Sequence, residues 1–153
     1  MIKSTVEEKI KESSIAIMVM SVIASLFSAA TGIYGILTNL GTSSDSFSEK
    51  MLLKNYVSNL IAAVILIVAA VIFFSIFKSG RPFTRGNIRA VRVIAFLFLL
   101  NAVIPSVIVG TALGFVGTSI IGAGSLFNAM LFFFFAEIMR YGNLLQIEYD
   151  ETL

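Results

Sequence analysis

The stretch that decides the fold is residues 56–77, which read YVSNLIAAVILIVAAVIFFSIF. No charged side chain interrupts this block. A helix needs roughly 20 predominantly apolar residues to cross the ~30 Å hydrocarbon core of a bilayer, and the block is long enough to do so. It therefore predicts a transmembrane helix.

Further apolar blocks lie on both sides of this stretch. One precedes it, and a long one, residues 93–139, follows it. The long block greatly exceeds a single crossing, and Gly114-Phe115-Val116-Gly117-Thr118-Ser119 resembles a turn within it. We therefore predict an all-α integral membrane bundle, a single domain over 1–153 with a polar tail at 140–153. Its four transmembrane helices are expected at about 15–40, 56–77, 93–114 and 120–139.

The composition supports a membrane protein and argues against an enzyme. Hydrophobic residues make up 58% of the chain and charged residues 13%, with a mean hydropathy of +0.96. Soluble domains are roughly half apolar and a quarter charged, so lipid is needed to cover the excess. The chain has no Cys, His or Trp. This excludes disulfides, thiolate or imidazole metal sites and Ser-His or Cys-His catalysis, and we expect no enzymatic activity, metal or cofactor.

The first block has an alternative interpretation as a cleaved signal peptide. Ser28-Ala29-Ala30 loosely resembles a processing site. However, the apolar stretch continues to Leu40, and the leading lysines are offset by Glu7, Glu8 and Glu12. We therefore expect this block to remain as a transmembrane helix.

The basic residues predict the orientation of the helices. The connection after the second block carries five cations and no acid: Lys78, Arg81, Arg85, Arg89 and Arg92. Segment 41–55 mixes both signs of charge, and 114–120 carries none. Because Lys and Arg near helix ends resist translocation, the basic connection should be cytoplasmic and both termini should lie inside.

The same connection has signals for a helix end and a new helix start. Gly80 and Pro82 should stop the second helix, and Thr84 should cap a short amphipathic, interfacial segment leading into the third. Arg85, Arg89 and Arg92 lie on one side of that segment. Two interpretations stay open: the cations fix the topology and contact anionic lipid headgroups, or they form a docking surface for an acidic cytoplasmic partner.

Few polar residues lie inside the predicted helices. Asn101 and Asn128 occur at similar depths, so they could hydrogen-bond across helices three and four, with a polar ligand site as the alternative role. Pro105 should free backbone carbonyls of helix three, which could serve either purpose. Glu137 is the only carboxylate within an apolar block. We expect it to pair with Arg92 or Arg89, or with Arg140 on its own helix, and the alternative is a proton-carrying group of a transporter.

Small residues predict where helices approach closely. The first helix carries them at four- and three-residue spacing, and the third has Gly110 and Gly114 four residues apart. Such stripes serve packing within the bundle or between copies in a homo-oligomer. The stripe of the first helix comprises Ser21, Ser25, Ser28, Gly32 and Gly35.

Two segments resemble the signature stretches of a bacterial family, domain of unknown function 2975. Segment 79–89 is similar to that family's loop between helices two and three, Gly-x-Pro-Phe-Ser/Thr-x-x-Asn. Segment 145–153 is similar to its Leu-Gln-x-Glu-x-Asp-x-Thr-aliphatic tail. Gly86 departs from the residue usual at its position, which weakens the helix start.

The resemblance implies a non-catalytic protein of the bacterial plasma membrane. Genes of the family often lie beside those of very small helix-turn-helix regulators, which suggests a sensor or tether for such a protein and no direct nucleic-acid binding by this chain. A small oligomeric transporter or exporter is the alternative. Candidate contacts with a partner or lipid are Arg81, Pro82, Phe83, Thr84, Arg85, Asn87, Arg89, Arg92, Gln146, Glu148 and Asp150.

Overall fold

Four α-helices follow one another along the chain in the computed structural model, which describes residues 2–39, 47–113 and 122–151. The four predicted apolar blocks are confirmed as helices, and each helix contains a stretch long and apolar enough to cross a membrane. The helices are α1 (Ile2–Asn39), α2 (Phe47–Ser79), α3 (Arg85–Leu113) and α4 (Ala123–Glu151).

The helices extend beyond the apolar blocks that predicted them. α1 begins at Ile2, and residues 140–151, expected as a polar tail, continue α4. Residues 85–92 form the first turns of α3 and are not a separate interfacial element. Hydropathy marks only the part of a helix that suits lipid, whereas Glu, Lys, Arg, Leu and Gln prolong the helix into its polar flanks. The predicted turn at 114–119 lies outside the described residues.

The helices pack in chain order as an open row. α1 packs against α2, α2 against α3, and α3 against α4. Across residues 2–39, 47–113 and 122–151, no backbone approach joins α1 to α3 or α4, or α2 to α4. The expected bundle is therefore not closed. Closure is not needed in a bilayer, because lipid tails cover an apolar helix face about as well as another helix does.

The small-residue stripe of α1 lies in its contact with α2, which is the first of the two predicted uses, packing within the bundle. Ser21 and Ser25 are buried, and the Ser25 hydroxyl donates to the carbonyl of Ala63 at 3.0 Å. Gly32 and Gly35 lie directly against α2 side chains. The absence of a Cβ at these glycines lets the two helix backbones approach closely.

Alanines form the corresponding contact between α3 and α4. Ala95 and Ala102 on α3, and Ala129 and Ala136 on α4, are all fully buried. Each pair is seven residues apart, so its members lie two turns apart on one helix face. The opposite faces of the row are apolar and exposed, as at Phe27 (72%) and Phe134 (63%), which is the pattern expected of surfaces in contact with lipid.

Candidate functional site

The connection between α2 and α3 is an ordered turn. Gly80 has a positive φ of 64°, and its amide donates to the carbonyl of Ile76 at 2.7 Å, which ends α2. The Thr84 hydroxyl accepts the amide of Asn87 at 3.2 Å, so Thr84 is the N-cap of α3. The helix stop and the cap predicted from the sequence are both confirmed.

Asn87 holds this turn together from inside. Its side chain is 3% exposed, and Nδ2 donates to the carbonyl of Pro82 at 3.0 Å. Asn87 is one of the residues predicted from the sequence to contact a partner or lipid. Its burial instead gives it a role in fixing the backbone of residues 82–84.

The turn is joined to the C-terminal part of α4. Nδ2 of Asn143 donates to the carbonyl of Phe83 at 2.5 Å. The Phe83 ring lies over Gly142, where a Cβ would come within 3.1 Å of Cγ of the ring. The connection and the end of α4 therefore form one continuous surface, the loop–tail surface, comprising residues 78–92 and 140–151.

This surface presents cations and apolar side chains, together with the exposed acids Glu148 and Glu151 of α4. Arg85 and Arg89 are exposed on α3. On α4, Tyr141 is 68% exposed, Leu145 65% and Tyr149 63%. Of the remaining predicted contacts, Arg81, Arg92 and Glu148 are exposed, Pro82, Phe83, Thr84 and Gln146 are half-buried, and the side chain of Asp150 lies outside the described residues.

Glu137 forms the ion pairs expected from its position. Its Oε1 lies 2.7 Å from Nη2 of Arg92 on α3, and its Oε2 lies 3.2 Å from Nη1 of Arg140 one turn along α4. All three side chains are about half exposed, so the pair with Arg92 contributes only about 0–1 kcal/mol to the contact between α3 and α4. Its main effect is to neutralise a carboxylate close to the apolar part of α4.

Asn101 joins three helices through a polar tie. Its Oδ1 accepts the hydroxyl of Ser58 on α2 at 2.8 Å, and its Nδ2 donates to Oγ of Ser125 on α4 at 3.1 Å. The predicted bond between Asn101 and Asn128 is therefore wrong. Ser125 lies one turn before Asn128, on the face of α4 that points to Asn101, whereas depth along a helix does not specify direction around it.

The two hydrogen bonds of Asn101 predict that its substitution destabilises the protein. Asn101→Leu removes both hydrogen bonds and should lower the free energy of unfolding by about 1–2 kcal/mol, because interhelical hydrogen bonds in membranes contribute roughly 0.6–1 kcal/mol each. Denaturation in mixed micelles of dodecyl maltoside and sodium dodecyl sulfate measures the change. Asn128→Leu is the matched control and should cause little loss. Equal losses of unfolding free energy for the two variants would instead support a hydrogen bond between Asn101 and Asn128.

A backbone carbonyl of α3 accepts a hydrogen bond from the residue that precedes α4. The amide of Gly122 donates to the carbonyl of Ala102 at 2.9 Å. This bond fixes the start of α4 against α3. It is separate from the effect of Pro105, because a proline at 105 removes the donor for the carbonyl of Asn101, four residues earlier.

Sequence reasoning missed the residues that complete these contacts. Gly142 and Asn143 were taken as part of a solvated tail, and Ser58 and Ser125 were not singled out. A Ser in an apolar helix carries little signal, because it can satisfy its hydroxyl on its own helix. The described residues contain no cluster of three or more Asp, Glu, His or Cys side chains arranged to hold a metal ion.

The four helices, each long and apolar enough to cross a membrane, place the chain in the class of multi-pass membrane proteins. Comparisons with protein-family models, with curated proteins and with solved structures find no match to this chain.

Proposed function

We propose that this protein is a non-catalytic anchor or sensor in a bacterial plasma membrane that holds a small cytoplasmic helix-turn-helix regulator on its loop–tail surface. The observation that carries the proposal is the joint between Phe83 and Asn143. It brings together the two segments that resemble the signature stretches of domain of unknown function 2975. Segments far apart in sequence thereby contribute to one surface at one end of the molecule.

The charge distribution supports a cytoplasmic position for that surface. The cations of the connection lie at the end of the molecule where α2 stops and α3 begins. The opposite connections carry mixed charge at 41–55 and none at 114–120. A basic end favours the cytoplasmic side of the membrane, and with four crossings both termini lie on that side.

The exposed side chains of the loop–tail surface suit the binding of a protein partner. Beyond its contact with Phe83, α4 continues from Leu144 to Glu151, which is about 12 Å of helix at 1.5 Å per residue. Leu144 is 48% exposed on this extension, and Leu145 and Tyr149 are more so. Exposed apolar side chains next to cations mark a surface that buries apolar contacts centrally and uses charge to orient an acidic partner.

Affinity purification from the native cells tests the proposal. The full chain, solubilised in mild detergent, should retain a helix-turn-helix protein identified by mass spectrometry. Truncation to 1–143 and the double change Arg85→Glu/Arg89→Glu should each reduce its recovery about tenfold or more, because truncation removes the apolar contacts and charge reversal adds repulsion.

Lys9→Glu is the matched control for the charge reversal. Lys9 is an exposed cation on α1 that lies outside the loop–tail surface. Recovery of the regulator with this variant should equal that of the native chain. The proposal is wrong if no regulator is recovered, or if its recovery is the same with the truncated and charge-reversed variants as with the native chain.

The contacts of the intramembrane polar groups make transport the weaker alternative. A transporter needs polar groups available to a substrate near the middle of the membrane. Asn101 bonds to Ser58 and Ser125, and Glu137 pairs with Arg92 and Arg140. These side chains connect helices to one another, which favours a structural role for them.

A further inference from the structure

An apolar groove of about 600 Å³ lies between α2, α3 and α4. It exists because α2 and α4 both pack on α3 without approaching each other. Its walls are formed by apolar side chains from all three helices and from the connection, among them Ala69, Ile72, Phe83, Phe98, Phe132 and Met139. Its volume falls in the range of roughly 300–1,000 Å³ that is typical of ligand sites.

The groove has two fixed ends. Pro82 and Phe83 line it at the end formed by the connection. Beyond the other end, two turns past Ile65 on α2, the hydrogen bonds of Asn101 with Ser58 and Ser125 connect α3 to α2 and to α4. From Ile65 to Ile76 the groove follows α2 for about 16 Å at 1.5 Å per residue. That length equals about half of a ~30 Å hydrocarbon core, which is the depth of one leaflet.

We propose that this groove binds one acyl chain of an anionic phospholipid, with the headgroup beside the basic connection. The apolar walls offer no polar partner, so the bound part of the ligand is hydrocarbon. The loop that lines the mouth belongs to the segment carrying Lys78, Arg85 and Arg89, and residues 78–92 include no acid, which favours a negatively charged headgroup.

The chemistry of the groove and of the connection favours a lipid over a helix from a second copy. A lipid offers a hydrocarbon chain for the apolar walls and an anionic headgroup for the cations of the connection. The bound chain would contact Phe83, whose carbonyl accepts the hydrogen bond from Asn143. The lipid would therefore contact a residue of the loop–tail surface, whether or not a protein binds to that surface.

Quenching of tryptophan fluorescence by brominated lipids tests the site, because the native chain has no Trp. Phe132→Trp places the reporter in the wall of the groove, and Phe134→Trp places a control on the exposed face of the same helix. Each variant is reconstituted in phosphatidylcholine vesicles containing a fixed fraction of brominated phosphatidylglycerol or brominated phosphatidylcholine.

The groove reporter should associate with brominated phosphatidylglycerol about fivefold more strongly than with brominated phosphatidylcholine, the factor for one contact between a cation and an anionic headgroup. The control reporter should show no such preference. Adding Ala69→Phe, which fills the groove, should abolish the preference, whereas Val64→Phe on the exposed side of α2 should not.

Native mass spectrometry of the protein without any Trp substitution provides a second measurement. The native chain and Val64→Phe should retain a phosphatidylglycerol adduct that Ala69→Phe loses. Equal quenching by the two lipids at the groove reporter, or a preference that survives Ala69→Phe, would overturn the proposal. Absence of quenching by either lipid would also overturn it and would assign the groove to a protein segment.

Discussion

Gly32→Leu is expected to separate α1 from α2 and to lower the free energy of unfolding by about 2 kcal/mol. A Cβ at residue 32 would lie 2.8 Å from Cδ2 of Leu60 and 3.0 Å from the backbone carbonyl oxygen of Tyr56. The Leu60 side chain can rotate away, but the carbonyl belongs to the helix itself, so the two helices must move apart. Overpacking of this kind destabilises by about 1–3 kcal/mol, and the better helix propensity of leucine offsets less than ~1 kcal/mol of it.

Unfolding in mixed micelles of dodecyl maltoside and sodium dodecyl sulfate, followed by circular dichroism, measures this loss. Ala30→Leu is the matched control, because Ala30 is exposed on the same helix only two residues away. It should leave stability within about 0.5 kcal/mol of the native value. If the control is destabilised as strongly as Gly32→Leu, close approach at Gly32 does not explain the effect.

Ala102→Leu should have a similarly large effect on the contact between α3 and α4. Ala102 is fully buried, and a Cβ at Gly122 would already lie 3.6 Å from its Cα. Three added carbon atoms have no space there, and the amide of Gly122 would lose its bond to the Ala102 carbonyl. We expect a loss of about 2–3 kcal/mol in the free energy of unfolding.

The control for this second prediction is Ala123→Leu, at an exposed position in the first turn of α4. Its free energy of unfolding, measured in the same mixed micelles, should stay close to that of the native chain. Native-like stability of Ala102→Leu would mean that α3 and α4 are not held together along the alanines, and the row of helices would need revision.

The sequence predicted the elements of the fold better than their arrangement. Uncharged apolar blocks such as 56–77 have few alternatives to a membrane helix, because every backbone group must be satisfied within the segment. The stop at Gly80 and the cap at Thr84 were equally predictable, since both depend on local backbone chemistry. The stripe around Gly32 gave the contact face of α1 for a similar reason.

The arrangement of the helices depends on how each helix is rotated about its own axis. Neither the composition of a helix nor the depth of a residue along it gives that rotation. Asn101 bonds to Ser125 and not to Asn128, because the side chains of Ser125 and Asn128 point in different directions around α4. The joint between Phe83 and Asn143 brings together residues 60 positions apart, and neither residue alone marks it. The apolar groove arises because the backbones of α2 and α4 do not approach each other. No pattern of residue types in the sequence predicts such a separation.

The packing of the helices in chain order also bears on how the protein is made. In the described part of the chain, every close approach of two helix backbones joins helices that are neighbours in sequence. The contact face of α1 is therefore complete once α2 has been synthesised, and the same holds for each later pair. Because domains fold during synthesis from the N-terminus, the helices of this chain can assemble one after another, and the joint between Phe83 and Asn143 closes last, when the end of α4 has been made.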